Sequence, residues 1–247
     1  MKVKNFSHPE SIYNFQAAFE VVPILIDLFK PLSVVDVGCG LGTWLKVFED
    51  HGISDFIGID GSYIKVETLK IAPLKFIALD LENSFRIQRR FDLVLSLEVA
   101  EHLKSTASTE FVQSLCELGE IIIFSAAIKN QGGQFHINEQ NPDYWISKFR
   151  NNGFELFDVL RPIFWNNKKV DWWYRQNIMV FTRNANIKIR LNDMLSFHGQ
   201  CFVHPEALNS LVLDNLSLRG YIQDIDQGKR SIKFYLKLLL RKISNSF

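Results

Sequence analysis

The feature that most constrains the fold of this chain is a glycine-rich turn between a predicted strand and a predicted helix. Residues 33–44 read Ser-Val-Val-Asp-Val-Gly-Cys-Gly-Leu-Gly-Thr-Trp. The β-branched residues Val34 and Val35 predict a buried parallel strand, and the run 43–50 has the apolar spacing of a helix. Between them lie Gly38, Gly40 and Gly42. A strand, a glycine turn and a helix in this order bring backbone N–H groups close to a bound ligand.

A carboxylate follows the turn at the separation typical of a site for a nucleoside-containing cofactor. Asp60 ends the apolar stretch 56–60, which predicts a second strand, and it lies about 20 residues after the glycines. A carboxylate in that position can accept two O–H hydrogen bonds from a ribose diol. A nicotinamide cofactor is disfavoured, because the dinucleotide fingerprint Gly-x-Gly-x-x-Gly requires glycine where this chain has Thr43.

These motifs resemble those of the class I S-adenosylmethionine (SAM) dependent methyltransferases over about residues 30–183. The matching positions are residues 36–42, Asp60, Asp80 with Leu81, residues 91–94 and residues 98–102. The resemblance implies that SAM is bound by Asp36, Gly38, Gly40, Gly42, Asp60, Asp80, Leu81 and Leu97. It also implies that Asp80 meets the exocyclic amine of adenine. The alternative is that Asp80 only begins a turn.

The apolar segments predict an α/β fold with a doubly wound, mostly parallel seven-stranded sheet, Rossmann-like, with an antiparallel last strand. Later strands are predicted at 74–79, 92–97, 120–126, 154–160 and 177–182. The last two have no predicted helix between them and should form an antiparallel hairpin. Helices are predicted at 10–30, with a break or kink at Pro23, and at 63–70, 106–118, 142–151 and 205–213. The methyltransferase domain then covers residues 1–184, and residues 185–247 form a helical C-terminal extension.

Charge and cysteine content limit the classes of partner. The formal net charge is +1, so no strong field draws nucleic acid to the whole molecule. The three cysteines lack metal-binding spacing, which argues against a zinc module or a disulfide framework. Residues 1–11 are polar and predict no secretory leader, and no apolar run reaches the roughly 18 residues of a membrane span. We therefore expect a cytoplasmic protein.

The C-terminal residues predict a basic helix at about 231–243. Lys233, Lys237 and Arg241 recur at i, i+4 and i+8, and no acidic residue lies among them. Such a face can make peripheral contact with an anionic membrane through residues 229–243, or it can pack on the domain or on a second subunit. The sequence leaves these alternatives and the oligomeric state open.

Residues 161–175, which connect the last two predicted strands, are unusually aromatic. The segment contains Trp165, Trp172, Trp173 and Tyr174. One hypothesis is that these rings stack on a sugar or a base of the methyl acceptor, or close over it as a lid. The other hypothesis is that they cover an apolar edge of the sheet.

Two glutamates and a histidine follow the fourth predicted strand, where methyl transfer is expected. Glu98, Glu101 and His102 have the spacing i, i+3, i+4, which places them on one face of a helical turn. The set resembles that of methyltransferases in which it binds a divalent metal, acting on the 2′-hydroxyl of small RNAs or on catechol-like quinone precursors. The resemblance implies Mg²⁺ or Mn²⁺ on these residues, with His136 as fourth ligand. The alternatives are a metal-free site with His102 or His136 as general base, and a plain Glu98–His102 pair.

The function predicted from these residues is SAM-dependent O-methylation of a sugar or another small-molecule hydroxyl. The stretch from Gln134 through Trp145 to Tyr174 also resembles methyltransferases of bacterial surface-polysaccharide pathways, which would make the acceptor a glycan hydroxyl. One alternative is an RNA 2′-O-methyltransferase, which the near-neutral charge disfavours. Another is a silent SAM-binding scaffold protein, which only a turnover assay distinguishes from an enzyme.

Overall fold

A single seven-stranded sheet organises the protein, and the predicted fold class is confirmed. The computed structural model describes residues 15–227, 229 and 231–234. The strands are β1 (Ser33–Val37), β2 (Asp55–Asp60), β3 (Phe76–Ala78), β4 (Leu93–Leu97), β5 (Ile121–Ser125), β6 (Glu155–Phe157) and β7 (Met179–Thr182). Their order is β3-β2-β1-β4-β5-β7-β6, and β7 is antiparallel to both of its neighbours. The other neighbouring pairs are parallel.

The direction in which successive strands are added to the sheet reverses at β1, and in doubly wound folds such a reversal creates a ligand-binding cleft. β1 pairs with β2 on one side and with β4 on the other. All residues of β1, β4 and β5 are buried, as expected for central strands rich in valine, isoleucine and leucine. In a doubly wound sheet, ligands bind outside the carboxyl ends of the strands at such a switch point. The predicted site residues after β1, β2, β4 and β5 all lie at this edge.

Helices cover the sheet and connect most of its strands. They are α1 (Gln16–Phe29), α2 (Thr43–Asp50), α3 (Ser108–Leu118), α4 (Pro142–Asn151), α5 (Leu160–Phe164), α6 (Trp172–Asn177), α7 (Ala185–Asn192) and α8 (Pro205–Asp226). The predicted break at Pro23 is wrong, because α1 runs through it. Ala18, Val22 and Leu25 are buried on the face of α1 that packs into the core, and this burial offsets the hydrogen bond that Pro23 cannot donate.

Two further local predictions differ from the structure. Residues 63–70 contain only a short 3₁₀ turn, Val66–Thr68, instead of a helix. Most of that segment is exposed, and β-branched residues such as Val66 and Thr68 have low helix propensity without a packing face to compensate. The antiparallel pairing of β6 and β7 is confirmed, but α5 and α6 occupy the connection. The buried apolar side chains of α5, Leu160 and Phe164, belong to the core.

Contacts divide the chain into two compact units, residues 1–202 and 203–247. Within the first unit, Ile187 and Leu191 of α7 are buried in the same core as the central strands. The predicted boundary after residue 184 stays a prediction. In the second unit the structure describes α8, which extends well beyond the helix predicted at 205–213. Most of the predicted basic helix at 231–243 lies outside the described residues, so peripheral membrane contact through 229–243 stays a prediction. No helix in the described part of the chain is both long enough and apolar enough to span a membrane.

Candidate active site

The turn after β1 adopts a backbone path that glycine favours. Gly38, Gly40 and Gly42 have φ angles of 85°, 53° and 79°, in the left-handed region. A Cβ on Gly38 would lie 2.2 Å from Cγ2 of Val99, and one on Gly42 would lie 2.9 Å from Cγ1 of Ile71. The turn therefore packs directly against the segment that follows β4. The N–H of Gly42 donates to the carbonyl oxygen of Cys39 at 2.8 Å, which closes the turn directly before α2.

Asp60 fastens the glycine turn to the end of β2. Its carboxylate accepts hydrogen bonds from the backbone N–H of Gly40 at 2.7 Å, the N–H of Gly61 at 2.6 Å and the hydroxyl of Tyr63 at 2.5 Å. A carboxylate offers about four acceptor positions, so a ribose diol that donates two hydrogen bonds has to displace one of these donors. We expect the displaced donor to be the Tyr63 side chain, since the other two belong to the backbone.

Asp36 is a buried carboxyl group at the end of β1, beside the glycine turn. Burial, and then the negative charge of Asp60, raise the pKa of Asp36 to about 8. A cation bound nearby would favour the ionised form of this group and lower its pKa. SAM carries a positive α-amino group and a sulfonium, so the chemistry of the site fits this cofactor.

SAM affinity should consequently depend on pH. If the bound cation requires the ionised form of Asp36, SAM affinity should rise by up to about tenfold for each pH unit below about 8. In this range the Asp36 carboxyl group of the free protein is mostly protonated, and the proton has to be released on binding. The free energy of unfolding of the SAM-free protein should fall as pH rises toward about 8, because folded Asp36 keeps a proton that the unfolded state releases. Calorimetric titration between about pH 6 and pH 8 tests this. The variant Asp36→Asn should show a flat profile, and a flat profile in the wild type would contradict the role of Asp36.

Asp80 begins a turn, and this turn is compatible with the predicted contact between Asp80 and adenine. Its carboxylate accepts hydrogen bonds from the backbone N–H of Glu82 at 3.0 Å and from Nδ2 of Asn83 at 2.9 Å. Asp80 also lines a polar cleft with Lys104 and Glu110, whereas Leu81 is buried. Contact with adenine stays a prediction for both residues. Leu97, the buried last residue of β4, likewise stays a predicted cofactor-binding residue.

Three predicted catalytic or metal-binding side chains converge at the carboxyl ends of β4 and β5. Ligand atoms of Glu101, His102 and His136 all lie within 4.8 Å of one another, and the two imidazole rings meet edge to face at 4.9 Å. Glu101 and His102 belong to a 3₁₀ turn, Ala100–His102, and His136 belongs to the loop after β5. We call these three residues the Glu-His-His cluster.

Two backbone hydrogen bonds hold the two parts of the Glu-His-His cluster together. The N–H groups of Ile137 and Asn138 donate to the carbonyl oxygen of Glu101 at 2.9 and 3.0 Å. The Nδ2 group of Asn138 also donates to Oγ of Ser108 at 3.0 Å. These bonds attach the loop that carries His136 to the turn that carries Glu101 and His102.

Glu98, the remaining predicted ligand, lies outside this cluster. The expectation that one helical turn aligns it with Glu101 and His102 is wrong, because Glu98 has a left-handed φ of 56° and precedes the 3₁₀ turn. Its carboxylate instead accepts hydrogen bonds from Nδ2 of Asn177 at 3.1 Å and from Nε2 of Gln131 at 3.4 Å. Burial raises the pKa of Glu98, and the bond from Asn177 opposes that rise.

Sequence reasoning missed the amide network that holds Glu98. Oε1 of Gln131 accepts hydrogen bonds from Nδ2 of Asn177 at 3.0 Å, from Nε2 of Gln176 at 2.9 Å and from the N–H of Ile128 at 3.1 Å. Both Gln176 and Asn177 are buried although they are polar. The only sequence signal is that these two amides lie just before the apolar strand β7, from which Ile178 alone separates them.

The electrostatics of Glu101 favour a bound cation. Its side chain is fully buried, and neither carboxylate oxygen has a hydrogen-bond partner within the described part of the chain. Burial, and then the nearby Glu98 carboxylate, raise the pKa of Glu101 well above its usual range; neighbouring backbone N–H groups offset part of this without reaching hydrogen-bond geometry. A positive charge bound at the Glu-His-His cluster would remove this unfavourable state. A carboxylate with two imidazoles is a donor set that suits a divalent transition metal.

The aromatic segment 161–175 divides into two parts. The ring of Trp165 packs edge to face on Phe197 at 5.3 Å, within the first unit of the chain. The rings of Trp172, Trp173 and Tyr174 form a row on α6, and Tyr174 meets Trp44 edge to face at 5.2 Å. Since Trp44 immediately follows the glycine turn and Thr43, this row reaches the predicted cofactor-binding residues. Its role toward an acceptor stays a prediction.

Comparison with known proteins agrees with this arrangement. The chain matches a family described as "Methyltransferase domain" over residues 13–177. It is 26% identical over 145 residues to the mitochondrial ubiquinone biosynthesis O-methyltransferase of Dictyostelium discoideum, covering 52% of this chain and 44% of that protein. The ubiquinone biosynthesis O-methyltransferase of Rhodopseudomonas palustris is 32% identical over 83 residues, which is 32% of each chain. The chain spans less than half the length of these curated relatives.

Solved structures share the fold at low sequence identity. CalS10, an amino pentose methyltransferase from Micromonospora echinaspora with bound SAM, has a TM-score of 0.52 and 14% identity, covering 73% of this chain and 99% of that chain. Magnesium protoporphyrin IX methyltransferase from Synechocystis PCC 6803 with bound SAH has a TM-score of 0.51 and 15% identity, covering 73% and 90%. The family match spans more than half of the chain and agrees with the strand order and the glycine turn. This chain therefore belongs to the class I SAM-dependent methyltransferases.

Proposed function

We propose that this methyltransferase transfers the methyl group of SAM to a hydroxyl oxygen of a sugar or another small molecule. The observation that carries the proposal is the Glu-His-His cluster at the carboxyl ends of β4 and β5. The glycine turn, predicted to bind the cofactor, packs against Val99, only two residues before Glu101. The two relatives described above are both named O-methyltransferases, which supports oxygen as the acceptor atom.

In the proposed reaction the protein positions the two reactants and removes one proton. SAM supplies a methyl group that its sulfonium activates. The acceptor oxygen forms a bond to the methyl carbon as the carbon–sulfur bond breaks, leaving a neutral thioether. The hydroxyl proton passes to a base at the cluster, and an imidazole of His102 or His136 is suited to this because histidine titrates near neutral pH. Holding the reacting atoms about 3 Å apart and in line supplies much of the rate.

We further propose that the Glu-His-His cluster holds a divalent cation. The buried carboxylate of Glu101 and the imidazoles of His102 and His136 would be its protein ligands. The two nitrogen ligands favour Mn²⁺ or another transition ion over Mg²⁺, which prefers oxygen. A bound metal lowers the pKa of a coordinated hydroxyl, and it would suit an acceptor with two adjacent hydroxyls. In the metal-free alternative a histidine of the cluster acts as general base.

The row of aromatic rings on α6 is proposed to contact the acceptor. Replacing Trp172 with alanine should raise the Michaelis constant for the acceptor about fivefold, since such ring contacts contribute about 1 kcal/mol, and SAM affinity should hardly change. The matched control is Trp165→Ala, in the same segment but packed on Phe197. The control should lower stability without a selective effect on the acceptor. Loss of SAM binding in folded Trp172→Ala would contradict the assignment.

Acceptor identity can be tested with labelled SAM and a fractionated cell extract. Label recovered in low-molecular-weight or glycan hydroxyls supports the proposal. Label recovered in RNA would instead support the RNA 2′-O-methyltransferase alternative. A protein that binds SAM but labels nothing would be the silent scaffold.

A further inference from the structure

The imidazole of His136 has a carboxylate partner, Glu139, which takes no direct part in the proposed reaction. Oε1 of Glu139 lies 2.9 Å from Nδ1 of His136 and accepts a hydrogen bond from the N–H of Gly132 at 2.7 Å. The side chains of His136 and Glu139 are 13% and 18% exposed, so water competes little with this contact. One carboxylate oxygen therefore joins the two ends of the short loop 132–136.

The contact with Glu139 determines which ring nitrogen of His136 carries the proton. A carboxylate only accepts hydrogen bonds, so Nδ1 must be the protonated nitrogen in the neutral ring. The lone pair of the neutral imidazole then lies on Nε2. A metal ligand and a general base both need that lone pair, so Glu139 would serve either version of the proposed function.

The loop around His136 has a shape that restricts the ring further. Gly133 has a φ of 153°, and a Cβ at this position would lie 2.3 Å from Nε2 and Cε1 of His136. Phe135, immediately before the histidine, has a left-handed φ of 61°. The ring thus rests against a bare glycine on one side, while Glu139 holds Nδ1. Together these features keep the imidazole in one orientation.

We propose that Glu139 is a positioning residue that fixes His136 as its Nδ1–H tautomer and leaves Nε2 to serve the Glu-His-His cluster. The use of this tautomer by the cluster rests on the proposed function, but the tautomer itself can be measured without a metal or an acceptor. Spacing alone could not show it, because Glu139 follows His136 by three residues in a loop that lacks helical periodicity.

The test is the ¹⁵N spectrum of histidine ring nitrogens in metal-free protein at about pH 8, above the ordinary pKa of a histidine side chain. His136 should show the Nδ1–H pattern, and Glu139→Ala should shift it toward Nε2–H. Glu139→Gln should restore the wild-type pattern, because its amide oxygen can accept the same two bonds. His51 is an internal reference, since its Nδ1 contacts the carbonyl oxygen of Val47 at 2.8 Å. The variant His136→Asn assigns the signal.

A second measurement, Mn²⁺ affinity by calorimetry, tests the consequence for the cluster. Glu139→Ala should weaken Mn²⁺ about tenfold, and Glu139→Gln should weaken it less. The control Glu155→Ala removes a surface carboxylate that pairs with Lys188 and should change nothing. If the wild type binds no Mn²⁺, the metal proposal fails, yet the tautomer still tests Glu139. An Nε2–H pattern in wild-type His136, or an unchanged pattern in Glu139→Ala, would overturn the inference; the wild-type result decides even if the alanine variant folds poorly.

Discussion

Replacing Gly38 with alanine should weaken SAM binding more than about hundredfold. The added Cβ would lie 2.2 Å from a methyl group of Val99, far inside contact distance, and the backbone has a φ of 85°. Left-handed strain costs about 1–2 kcal/mol in a residue other than glycine, and overpacking costs about 1–3 kcal/mol. Relief of the clash requires the turn or the segment after β4 to move, and both line the predicted cofactor cleft. Calorimetric titration with SAM measures the effect.

Gly52 provides the matched control for this prediction. Its φ is 91°, close to that of Gly38, but a Cβ there meets nothing within 4 Å. Gly52→Ala should therefore lower stability through backbone strain alone and leave SAM affinity nearly unchanged. The double variant Gly38→Ala/Val99→Ala should recover part of the lost affinity by making space. Wild-type affinity in folded Gly38→Ala would remove the glycine turn from the cofactor site.

Replacing Glu101 with glutamine should lower the rate of methyl transfer about 10²–10⁴-fold, the range for loss of a group that positions or activates a transferring proton. Glutamine keeps the size of the side chain but loses the negative charge. Mn²⁺ binding should be lost with it. In the absence of metal the variant should melt no lower than the wild type, because it removes a buried carboxyl group whose oxygens have no hydrogen-bond partner in the described structure. This combination separates a functional loss from misfolding.

Glu98→Gln is the matched control, because it makes the same chemical change three residues earlier. Glu98 already accepts hydrogen bonds from two amides and lies outside the Glu-His-His cluster. Metal affinity should therefore fall much less in Glu98→Gln than in Glu101→Gln. Equal losses in the two variants would place both carboxylates in the ligand set. Full activity of chelator-stripped wild type would reject the metal and leave a histidine base.

The first strand, the glycine turn and the position of Asp60 could be predicted from the sequence because their determinants are local. Neighbouring residues in the sequence are enough to indicate the backbone conformation of three features. These are the β-branched strand β1, the turn with Gly38 and Gly40, and the strand end at Asp60. The sheet order then follows from alternating strands and helices. The one long helix that seemed interrupted, at Pro23, is continuous because burial of its apolar face outweighs the local signal.

The arrangement of Glu98, Glu101 and His102 was predicted less accurately, because it depends on backbone conformations that leave no periodic signal in the sequence. The spacing of Glu98, Glu101 and His102 implies one face only if the segment is α-helical, whereas the chain turns through a left-handed residue first. The amides that hold Glu98 come from Gln131 and Asn177, far along the sequence. Such contacts arise from tertiary packing, which local propensity does not encode.

The most direct test of the proposed function is transfer of an isotope-labelled methyl group from SAM by chelator-stripped enzyme, with and without added Mn²⁺, into a fractionated cell extract. We predict label on a hydroxyl oxygen in the small-molecule or glycan fraction, dependent on Mn²⁺ and absent with Glu101→Gln. Label confined to RNA or protein, or no label from enzyme that binds SAM normally, would contradict the proposal.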